Sequence, residues 1–78
     1  MKIYNESADV LVNRITLYLT TSEAGELRDA VEAILADPMS HQHVSNEDYS
    51  REVTVCLYDV QSLTHFDTRS QRIILEDT

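Results

Sequence analysis

The chain has 78 residues, 14 of them acidic against 6 basic, for a formal charge of −8. That field disfavours direct nucleic-acid binding, which rests on cations displacing the counterions of phosphates. A single glycine excludes a glycine-rich phosphate cradle, and the lone Cys56 excludes a disulfide framework. A core of this size supplies only about 3–5 kcal/mol of net stability, so good packing, a metal or a second subunit has to help. One cysteine and the lack of a leader pattern predict a reducing, cytoplasmic setting. No apolar run reaches the roughly 18 residues of a membrane span, so no membrane is expected as a partner.

In chain order, "KIY" (residues 2–4) is expected to pair through a turn at "NES" with the segment that follows. "VLVNRITLYLT" (10–20) reads as a strand, with Ile15, Leu17 and Leu19 alternating against Thr16, Tyr18 and Thr20. Upstream the parity is opposite, with Val10 and Val12 on even numbers. A one-residue shift moves every side chain to the other face, which predicts a bulge or break near Asn13-Arg14.

Thr20 followed by Glu23 is a capping-box signature, opening a helix over 21–36. Its apolar face is read as Leu27, Val31, Ile34 and Leu35, edged by Ala24 and Ala30, with Glu26, Asp29 and Glu32 on the opposite arc. Gly25 weakens it, by about 1 kcal/mol relative to alanine. Asp37-Pro38 ends it, because proline disfavours helical geometry in the residue before it. "HQHVS" (41–45) is read as a short strand, "NEDY" as the turn, and "REVTVCLYD" (51–59) as a clean strand. The tail is read as a helix over 62–75, with an edge strand at "RIILE" as its alternative; Glu76 and Asp77 sit badly at a helix C-terminus.

These elements predict a single small α+β domain. Its antiparallel sheet of about three strands (10–20, 41–45, 51–59) would be covered on one face by helix 21–36. The uncovered face would then carry Arg14, Thr16 and Tyr18 from one strand, and Thr54 and Tyr58 from another. Tyrosine combines apolar area with a polar tip and is enriched at protein interfaces. It is also simply a good strand residue.

His41 and His43 would project to one face of an extended segment, where Glu47, Asp48, Cys56 or His65 could add a third metal ligand. The plainer reading of the histidines is a polar edge strand that discourages unwanted pairing. Cys56 lies mid-strand in an acidic protein, a poor setting for a nucleophile. Glu26, Asp29 and Glu32 lack the burial that would tune them for acid–base catalysis, but an acidic arc can steer a basic partner. The sequence therefore predicts a small acidic, non-catalytic protein-interaction module of regulatory, inhibitor or immunity type. It would be cofactor-free and self-associating, with contacts through Arg14, Thr16, Tyr18, Thr54, Tyr58, Glu26, Asp29 and Glu32. Two other functions fit the composition: a metal-binding protein using His41 and His43, and an acidic nucleic-acid mimic that captures a basic protein.

Overall fold

A computed structural model describes every residue, Met1–Thr78. The elements in order are β1 (Tyr4–Asn5), β2 (Val10–Leu11), α1 (Thr21–Ala36), β3 (His41–Ser45), β4 (Glu52–Cys56) and α2 (Thr68–Glu76). This is a small α+β fold with two antiparallel two-stranded sheets, β1–β2 and β3–β4. The chain groups into two compact units, Tyr18–Leu57 and the paired segments Met1–Leu17 and Tyr58–Thr78. No helix is long and apolar enough to cross a membrane.

In the Tyr18–Leu57 unit, α1 starts where the capping box places it. Thr20 Oγ1 accepts the Glu23 N–H at 3.1 Å, and Glu23 Oε1 accepts the Thr20 N–H at 2.9 Å. Two of the orphan donors at the helix start are thereby satisfied. The helix ends at Asp37, before Pro38. β3 and β4 form the expected hairpin, with Val44 opposite Val53 and His43 opposite Thr54. Its turn is closed by side chains. Asn46 Oδ1 accepts the Arg51 N–H at 2.9 Å, and Asp48 Oδ1 accepts the Ser50 N–H at 3.1 Å and its hydroxyl at 2.6 Å. Those bonds from Ser50 hold the Asp48 carboxyl below the usual carboxylate range. Tyr49 takes the left-handed conformation, φ 58°.

The buried residues of this unit are Ala30, Ile34 and Val44, with Leu27, Ala33, Val53 and Val55 half-buried. The apolar stripe of α1 is therefore displaced from the predicted one: Val31 and Leu35 are exposed, Leu35 by 63%. Two strands lie about 5 Å apart, so a hairpin covers a narrow strip of helix. The small side chains of Ala30 and Ala33 are the ones on that strip.

In the other unit, the turn at Asn5–Asp9 joins β1 to β2 as a hairpin, with Tyr4 opposite Leu11 and Asn5 opposite Val10. The Val12 N–H extends it by bonding to Ile3 O at 2.9 Å. Arg69, on α2, holds the turn: Nε donates to Asp9 Oδ1 at 2.8 Å, and the guanidinium lies 5.2 Å from the centre of the Tyr4 ring. The Tyr4 hydroxyl donates to the same carboxylate oxygen at 2.6 Å. This bond pushes the Tyr4 phenol up and, with Arg69, holds the Asp9 carboxyl down. Leu63 and Ile73 are the buried residues here.

α2 is shorter at its start than the predicted 62–75. A turn from Leu63 O to the Phe66 N–H precedes it, and Asp67 caps it by accepting the Ser70 N–H at 2.7 Å. The acidic C-terminal end is compensated by two cations, Lys2 from the chain's start and Arg69 from the first turn of α2 itself. Lys2 Nζ lies 2.9 Å from Asp77 Oδ1, and Arg69 Nη1 donates to Thr78 O at 2.6 Å.

The principal correction concerns the predicted strand 10–20. Only Val10–Leu11 belongs to a ladder, so the predicted three-stranded sheet is replaced by two separate hairpins. The parity change near Asn13 does mark the break, since the chain bends at Asn13 and leaves the ladder.

Candidate interaction surface

One face of the β3–β4 hairpin packs Val44 toward α1. The other carries His41 opposite Cys56, His43 opposite Thr54, and Ser45 opposite Glu52. Side chains alternate along a strand, so the two histidines share that face. Their rings meet edge to face at 5.2 Å. His43 Nδ1 lies 2.7 Å from Glu52 Oε1 and 2.8 Å from Thr54 Oγ1.

This arrangement does not assemble a metal centre. No three His, Cys, Asp or Glu side chains converge on one point, whereas a zinc site draws on three or four. Asp48 is engaged by Ser50, and His65 lies against Phe66 with ring centres 4.2 Å apart in the other unit. Cys56 is exposed, and partial desolvation of its thiol pushes the pKa up, away from a reactive thiolate.

Beside the hairpin lies an open depression of about 580 Å³, lined by Glu23 and Glu26 of α1, His43 of β3, and Glu47 and Tyr49 of the turn. Three carboxylates make it acidic, and no buried side-chain nitrogen or oxygen lacks a hydrogen-bond partner. Of the acidic arc, Glu26 borders this depression, while Asp29 Oδ1 accepts from both Nε and Nη2 of its neighbour Arg28 at 3.1 Å. Glu32 is exposed.

The residues predicted to share an open sheet face fall out differently. Thr54 lies on β4, on the hairpin face it shares with the histidines of β3, and Tyr58 lies beyond the strand's last residue, Cys56. Arg14, Thr16 and Tyr18 lie in a segment that belongs to no sheet and no helix. Between Asn13 and Thr20 no backbone group bonds to another backbone group until Thr20 O enters α1. Along this segment Ile15, Leu17 and Leu19 are exposed by 54%, 42% and 40%, and Tyr18 by 94%.

The His43–Glu52 contact and the Asn46–Asp48–Ser50 clasp were not foreseen from the sequence. Both depend on hairpin register, which the turn sets. Compared with known proteins, the chain matches no family model, no curated protein and no solved structure.

Proposed function

We propose that the chain is a non-catalytic protein-interaction module whose contact element is the segment Arg14–Thr20. The observation that carries this reading is the coincidence, on one short segment, of free backbone groups and alternating exposed apolar side chains. Such a segment is a template for β-pairing with another chain, and native proteins ordinarily cover or blunt it. On pairing in extended form the segment would present Arg14, Thr16 and Tyr18 on its other face, so they remain in the proposed surface. The charge of −8 favours rapid encounter with basic surfaces through Glu26, Asp29 and Glu32.

The reading is tested by chemical cross-linking of the full chain, alone and in extract of its own cells. Wild type is expected to yield a discrete heavier species, and Ile15→Ser with Leu19→Ser to lose it while far-UV circular dichroism stays unchanged. If wild type and the double variant behave alike, the segment is not a contact element.

A further inference from the structure

We draw no further inference here: the strongest candidate, the open depression between α1 and the β3–β4 turn lined by Glu23, Glu26 and Glu47, is a cluster of carboxylates into which no buried, unpartnered polar group is aimed.

Discussion

Thr20 and Glu23 satisfy each other's backbone donors at the start of α1, which makes Thr20 a sensitive position. Thr20→Ala is expected to destabilise the fold by about 1 kcal/mol, read as a lowered midpoint in urea unfolding. Gly25 is the opposite case. A Cβ there would meet only the end of the Arg28 side chain, at 3.9 Å, and the residue lies inside α1. Gly25→Ala is expected to stabilise by about 1 kcal/mol in the same measurement, through helix propensity.

Among charged residues, Asp9, Asp48 and Asp67 all have lowered pKa values, through Tyr4 and Arg69, Ser50, and Ser70 respectively. Their ordinary value is 3.8. Because the folded values lie below it, their stabilising contribution is full above that pH and is lost as acid drives the pH down through the folded values. Tyr4 runs in the opposite direction. Its folded pKa is raised above 10.0, so its contribution holds below pH 10.0 and disappears as alkali carries the pH through the raised value. Stability measured against pH should therefore fall at both ends. Asp9→Asn should flatten part of the acid limb, and a variant curve that superimposes on wild type would remove the Tyr4–Asp9–Arg69 cluster from the account.

At the scale of elements, the displaced stripe on α1 separates two residues that periodicity alone treats as equivalent. Ile34 is 4% exposed and Leu35 63%. Ile34→Ala removes packed methyl groups and leaves a cavity, so it is expected to cost about 2–5 kcal/mol. Leu35→Gln is expected to stay within about 0.5 kcal/mol of wild type, like other exposed substitutions. Equal losses at both positions in denaturant titrations would mean that the stripe lies where the sequence first placed it. The hairpin has its own weak point at Tyr49, a bulky residue with positive φ. Tyr49→Gly is expected to be tolerated and Tyr49→Val to destabilise, since a β-branched side chain fits that region worst.

At the scale of the whole molecule, the core is meagre. Ala30, Ile34, Val44, Leu63 and Ile73 are the buried apolar residues, and no side chain is fully enclosed. A chain with so little buried surface gains proportionally from a partner, because anything that binds only the folded form adds to its stability. On the self-association reading, the thermal midpoint of wild type should rise with protein concentration. Like-charged copies of −8 each also repel, so association should strengthen as salt is raised from low ionic strength. The same experiments, scanned by light scattering, read both effects.

Much of this protein is determined locally. The cap at Thr20, the stop at Pro38, the strand 41–45, the turn after it and the first small hairpin are all legible in the sequence, because each depends on backbone preferences and contacts a few residues away. Tertiary structure decided what depends on distant neighbours. "ITLYL" has the alternation of a strand, but a strand also needs an adjacent edge, and alternation does not say whether the same chain supplies one. The burial of Ala30 instead of Val31 follows from the width of the hairpin lying across α1, and the pairing of His43 with Glu52 from the register of its ladder. Period and propensity fix what a segment is suited to become; the partner that satisfies its remaining hydrogen bonds is set by long-range packing.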